Sequence, residues 1–120
     1  MGARSVSFEE FFQSTLSALP CPVSKPPAGG EETYTTWREV LGTFQAYASN
    51  QPQRLSHMVQ VHVFSKRSDG THRTIFHQAI ALLRAAGVKV IGYGPDDYET
   101  DTEYHHIAAT CEWVEEVKED

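Results

Sequence analysis

The stretch 58–65 constrains the fold more than any other part of this chain. Val59, Val61 and Val63 alternate there with Met58, Gln60, His62 and Phe64. Extended backbone sends successive side chains to opposite sides, so three branched apolar residues share one face and need a covering layer. That layer follows at once. Ile75, Phe76, Ala79, Ile80, Leu82, Leu83 and Ala86 recur at helical spacing and form a broad apolar stripe over residues 71–86. Asp69 or Thr71 is placed to cap the start of this helix, and Gly87 to supply a left-handed stop. A strand with a helix packed on its valine face is the expected nucleus of the fold.

The flanking segments extend this nucleus. Ser7 followed by Glu10 is a capping-box pattern, and Phe8, Phe11, Phe12, Leu16 and Leu19 repeat at helical spacing until Pro20 and Pro22 end the helix. The stretch 20–31 holds four prolines and two adjacent glycines, which predicts an extended, flexible loop. Residues 33–40, rich in Thr, Tyr and Trp, read as a strand, and residues 44–48 as a weaker second one. A polar turn at 49–53 precedes the valine strand. Residues 88–93 predict a short strand and residues 94–97 a turn. Residues 102–117 predict a last strand, with His105, Ile107, Ala109, Cys111 and Trp113 on one face; residues 115–120 form a solvated acidic tail. Strands grouped around a helix, without regular alternation, predict a single α+β domain over 1–120. Its sheet is expected to be small, antiparallel or mixed, with four to five strands and two helices packed on one face.

Charge and composition narrow the function classes. The formal net charge is -6, and no basic run exceeds Lys66-Arg67. A DNA clamp needs clustered cations to displace counterions, so nucleic-acid binding is not expected. No apolar run approaches the roughly 20 residues that a membrane helix requires, and no signal-peptide pattern opens the chain. Cys21 and Cys111 lie in unrelated contexts without a CxxC pair and read as reduced thiols, which fits a cytoplasmic origin.

The residues that carry chemistry do not converge within any one element. His72 and His77 are five apart on a helix, and His57 and His62 are odd-spaced along a strand. His105 and His106 are adjacent, so they point to opposite sides. The acidic run Asp97, Glu99 and Asp101 alternates but lacks the turn glycine and closing glutamate of a calcium loop. Cys111 falls on the presumed buried side of a strand, without a local nucleophile signature. Trp37 and Trp113 read as core or subunit-contact aromatics. No catalytic residue, metal ligand or cofactor is expected from this pattern.

The second half of the chain resembles a known family. Residues 59–66 resemble the "VQVDVWSK" strand of small tail-completion and minor tail proteins of long-tailed phages and prophages. His62 stands where that family commonly has an acidic residue, and Phe64 where it has Trp. The helix end "LL-x-x-A-G" appears as Leu82, Leu83, Ala86 and Gly87. The turn "D-x-Y-E-x-D-T" leading into a "Y/H-H" strand is matched by residues 97–106. Upstream, Pro22-Val23 and the strand through Trp37 fit in order, so the likeness spans roughly residues 15 to 117.

This resemblance implies a tail-terminator-like fold that assembles into rings, often hexamers, in the neck of a virion made in the bacterial host cytoplasm. Its partners would be copies of itself, the tail-tube protein and the head connector; no cofactor and no membrane are implied. Under this reading the subunit contacts are expected along a sheet edge, through the loops 20–30 and 48–55, and at the turn carrying Asp97, Tyr98, Glu99, Asp101, Tyr104 and His106. A head-completion or connector-stopper protein shares these features. A small hydrolytic enzyme or a cytoplasmic ligand-binding domain is the rival from a different class.

Overall fold

The computed structural model describes residues 7–45 and 54–116. Helix α1 (Phe8–Leu16) opens with the expected capping box. Ser7 Oγ accepts from the Glu10 amide at 3.1 Å, and Glu10 Oε1 accepts from the Ser7 amide at 3.2 Å. The helix stops at Leu16 instead of continuing to Leu19, although Leu19 remains buried in the turn that follows.

The rest of the chain builds β1 (Val23–Ser24), β2 (Thr33–Gln45), β3 (Arg54–Ser65), α2 (Thr71–Ala85), β4 (Lys89–Tyr93), β5 (Asp97–Glu99) and β6 (Tyr104–Glu116). The strands form one mixed sheet in the order β1-β2-β3-β6-β4, with β5 also paired to β6. The fold is α+β with both helices on one face, as expected. Six strands are present among the described residues, not four to five.

The two additional strands lie where sequence periodicity is weakest. β1 is two residues inside the proline-rich stretch and runs parallel to β2, pairing Val23 with Thr35. β5 is three residues placed where a turn was expected. The segments 33–40 and 44–48, read as separate strands, correspond to a single β2 through Gln45. A bulge between Glu39 and Leu41 interrupts its alternation, and residues 46–48 lie outside the described residues. The polar turn 49–53 and the end of the acidic tail, 117–120, lie outside them as well. The last strand begins at Tyr104 instead of Thr102, after Glu103 takes a left-handed conformation with φ of 64°.

β3 is the centre of the sheet, antiparallel to β2 and β6 along its length. Val59 pairs with Glu39 and Cys111, Val61 with Trp37 and Ala109, and Val63 with Thr35 and Ile107. All three valines are buried beneath Ile75, Phe76, Ala79 and Leu83 of α2 and Phe12 and Leu16 of α1. Full burial of one such side chain contributes about 1.5–3 kcal/mol. The start of α2 differs from expectation: Gly70, left-handed at φ 84°, occupies the cap position, and Asp69 Oδ1 accepts from the Thr71 amide at 3.1 Å. Its end is a Schellman motif. Gly87 adopts φ 89°, its amide donates to Arg84 O, and the Val88 amide donates to Leu83 O.

The stretch 20–31 is tied down at several points. Pro22 O accepts from the Thr35 amide at 2.9 Å, Val23 O from Gln13 Nε2 at 2.8 Å, and Glu31 O from the Tyr104 hydroxyl at 2.6 Å. The stretch read as a flexible loop thus makes contacts with the sheet and with α1 at Pro22, Val23 and Glu31. No helix among the described residues is long and apolar enough to cross a membrane.

Candidate functional site

The turn expected to carry contacts is held by α2 from one side. Asp96 Oδ1 lies 2.9 Å from His72 Nε2, and Asp96 Oδ2 accepts from Arg73 Nη1 at 2.7 Å. Partial burial opposes ionisation of Asp96, but the hydrogen bonds from Arg73 and His72 outweigh it and hold the carboxyl below its ordinary range. The His72 ring stacks on His105 with centroids 4.9 Å apart, and Tyr98 packs tilted against His105 at 4.8 Å.

Beyond this anchor, Asp97, Tyr98, Glu99 and Asp101 are exposed. Register places Asp97 opposite His106, Tyr98 opposite His105 and Glu99 opposite Tyr104. Glu99 Oε1 accepts from Thr102 Oγ1 at 2.8 Å, which shapes the turn. Tyr104 is placed differently from its companions. It is buried, packs edge-on against Tyr34 and Phe64, and donates to the Glu31 carbonyl, so it acts inside the subunit. His106 is half-buried.

The sheet face away from the helices carries an arrangement that within-element spacing does not reveal. His62 Nδ1 and His106 Nε2 face each other at 2.7 Å. Phe64 pairs directly with His106, so His62, two residues earlier on β3, is the diagonal neighbour across the strands. Phe64 stacks on His106 at 4.3 Å and on Tyr34 at 4.7 Å. Burial, then the neighbouring His106 and Arg38, lower the basicity of His62. Burial also lowers that of His106, outweighing Glu99 and Asp97. The pair borders a cavity of about 360 Å³ lined also by Arg38, Glu99 and the backbone turn at Pro26 and Pro27. Parity on the two strands was the available signal: His62 and His106 both sit on the side opposite the valines. Their pairing across 44 positions was not legible.

On the helix-covered face, His57 joins three strands. Its Nδ1 lies 2.6 Å from Glu39 Oε2 and its Nε2 lies 2.8 Å from Glu115 Oε1, while its ring stacks on Phe8 at 4.1 Å. Phe11 stacks on Trp113 at 4.4 Å. This cluster fastens α1 to the outer half of the sheet, and Trp37 is fully packed beneath it.

The two lateral edges of the sheet differ. Beyond its short pairing with β1, β2 has no strand on its outer side among the described residues, and Leu41 and Phe44 are 56% and 59% exposed. On the opposite edge, Ile91 and Tyr93 of β4 are 52% and 66% exposed. β4 pairs with residues 109–112 of β6, which face residues 61–58 of β3 and, through them, residues 37–41 of β2. The open stretch of β2 and the open side of β4 therefore lie at the same level. β2 and β6 run in one direction and β3 and β4 in the other, so a second copy displaced sideways would bring its β2 antiparallel to β4.

Reactive groups give little support to covalent chemistry. Burial pushes the Cys111 thiol up to about 11. Burial also raises the Cys21 thiol, against a weaker opposing effect of its 3.4 Å contact with Thr35 Oγ1. Among the described residues, no three His, Cys, Asp or Glu side chains converge as a ready metal-ligand group. No family model matches the chain, and no curated protein matches it.

Proposed function

We propose that this chain is a structural subunit of a phage tail-completion ring, which closes the tail tube and joins it to the head. The observation that carries the reading is the pair of unlike sheet edges at one level, each bearing large apolar side chains and, at that level, no further strand among the described residues. An edge strand with open backbone groups and exposed apolar residues is a template for a further strand. Two different edges that fit one another make a head-to-tail contact, and head-to-tail contacts close into rings when the rotation permits.

The resemblance to tail-completion proteins adds the biological setting. Its motifs fall on β3, on the Schellman end of α2 and on β5 with the turn after it. Net negative charge would keep free subunits soluble and repel DNA phosphates passing through a ring. The exposed carboxylates Glu99 and Asp101 would meet Arg or Lys of a neighbour at the rim, where each pair contributes about 0–1 kcal/mol.

Two measurements test this. Native mass spectrometry of the purified chain, alone and with tail tubes, is expected to give closed multiples of the subunit; a monomer under both conditions overturns the ring. In a phage that carries the gene, deletion is expected to give tails of uncontrolled length, and tails of normal length overturn the terminator role. Replacing both Glu99 and Asp101 with Ala should leave melting nearly unchanged while lowering infectivity. Full infectivity from that variant removes the two residues from the contact.

A further inference from the structure

We infer that His62 and His106 form a binding site for a borderline transition-metal ion, of the zinc or nickel class, on the helix-free face of the sheet. The site goes beyond the ring reading and does not depend on it. Two imidazole nitrogens, His62 Nδ1 and His106 Nε2, converge to 2.7 Å on the bank of an open cavity. The far nitrogen of His62 lies 3.3 Å from Gln60 Oε1, and Glu99 Oε2 stands 3.7 Å from His106 Nδ1, within ion-pair range but beyond a hydrogen bond. An acceptor at the far nitrogen favours a proton there, which leaves the near nitrogen with its lone pair available. Histidine ligands of metals are oriented by this pattern, with the non-ligating N–H given to a carboxylate or carbonyl.

At 2.7 Å the contact is a hydrogen bond when one near nitrogen keeps its proton; with both protons on the far nitrogens, two lone pairs point at one another and a cation between them makes the contact favourable. A shared proton satisfies it at 2.7 Å. A metal ion satisfies it after a small outward rotation of the rings, because tetrahedral ligation with bonds of about 2.0–2.1 Å separates two nitrogens by more than that. Binding needs no net loss of a proton. Starting from the neutral pair in which His106 Nε2–H donates to His62, the proton moves from Nε2 to Nδ1 of His106 and stays on the ring, where the Glu99 carboxylate 3.7 Å away stabilises it. The metal then takes both lone pairs, and water from the cavity completes its coordination.

The surroundings permit this charge. Arg38 near His62 opposes a cation, while Glu99 and Asp97 beside His106 favour one. Stacking of His106 on Phe64 holds its ring plane. Two nitrogen donors select ions that accept imidazole over the oxygen-seeking calcium and magnesium. The expectation that no metal binds rested on spacing within single elements, and this pair is made across two strands.

The test uses the full chain, purified without an affinity tag and stripped with a chelator, titrated calorimetrically with Zn²⁺, Ni²⁺ and Ca²⁺. One equivalent of Zn²⁺ or Ni²⁺ is expected, with no binding of Ca²⁺. His62→Gln and His106→Gln are each expected to weaken binding by at least about tenfold, Glu99→Gln by less, and the exposed His77→Gln not at all. Nitrogen NMR of the imidazoles in the unsubstituted protein gives a reading independent of variant folding: Zn²⁺ should move His62 Nδ1 and His106 Nε2 and leave His77 unchanged. Absence of zinc and nickel binding, equal binding of Ca²⁺, or shifts confined to other histidines would overturn the site.

Discussion

Asp96 and His72 lock the turn between β4 and β5 to the first turn of α2, with Asp96 Oδ1 2.9 Å from His72 Nε2. His72 is buried, and its Nδ1 has no partner among the described residues. The same carboxylate reaches Arg73 through its second oxygen. One side chain thus sets the position of the exposed strand β5.

The ionisation of Asp96 gives this contact a pH signature. Its folded-state value lies below the ordinary 3.8, so the folded protein binds fewer protons than the unfolded chain in that range. The stability it contributes is complete above the ordinary value and is lost as pH falls through the depressed one. Asp96→Asn is expected to lower stability most near neutral pH, where the carboxylate contributes in full, and to flatten the acid side of the curve so that the two proteins converge as pH falls below the ordinary carboxylate range. Denaturant melts at several pH values check this. An unchanged acid slope would show that the pair does not operate in solution.

Val61 tests the core. It is 1% exposed, between Trp37 and Ala109 in the sheet and beneath the α2 stripe. Val61→Ala should cost about 2–3 kcal/mol through lost burial and a residual cavity. Ile91→Ala, at a half-exposed bulge, should cost under about 0.5 kcal/mol in the isolated subunit. Chemical denaturation of both variants measures the difference, and equal losses would contradict the assignment of the two faces.

How far the sequence could be read follows from where periodicity exists. The Val59, Val61 and Val63 alternation and the Ile75-to-Leu83 stripe identify β3 and α2 because each element is long enough to display its period. Gly87 marks the helix end because a left-handed residue there favours glycine. β1 and β5, at two and three residues, have no period to display; they exist through backbone pairing with neighbours already in place. The bulge at Val40 shifts the side-chain parity of β2, which makes one strand read as two. Of the six expected contact residues, Asp97, Tyr98, Glu99 and Asp101 are exposed, while Tyr104 and His106 lie on β6 between β5 and β3, with Tyr104 turned inward by its hydrogen bond to Glu31. The His62–His106 contact depends on the β3–β6 register, which a single sequence does not specify.

Cys111 provides a probe of opening. Its thiol is fully buried, and burial pushes it up to about 11, so in the closed protein it stays protonated and out of reach near pH 8. Reaction of the native protein with a disulfide reagent should therefore label the half-buried Cys21 first, with Cys111 following only at the rate of unfolding. Simultaneous, fast labelling of both would mean that the α2-covered face opens readily.

The last prediction separates head-to-tail assembly from a two-fold dimer. Leu41→Asp with Phe44→Asp places carboxylates along the open edge of β2, and Ile91→Asp with Tyr93→Asp does the same at β4. These residues are exposed in the subunit, so both variants should fold while losing the apolar complement of one edge. If β2 of one copy meets β4 of the next, neither variant forms a ring alone. A mixture behaves differently. The β2 variant retains an intact β4 edge, the β4 variant retains an intact β2 edge, and those two intact edges can pair. The remaining edges are both blocked, so growth stops at two subunits. Sedimentation of the mixture is expected to give a dimer containing one of each, while each variant alone remains monomeric. Assembly like the unsubstituted chain by either variant would exclude its edge from the contact. A homodimer of the β4 variant through two intact β2 edges would replace the ring with a two-fold pair.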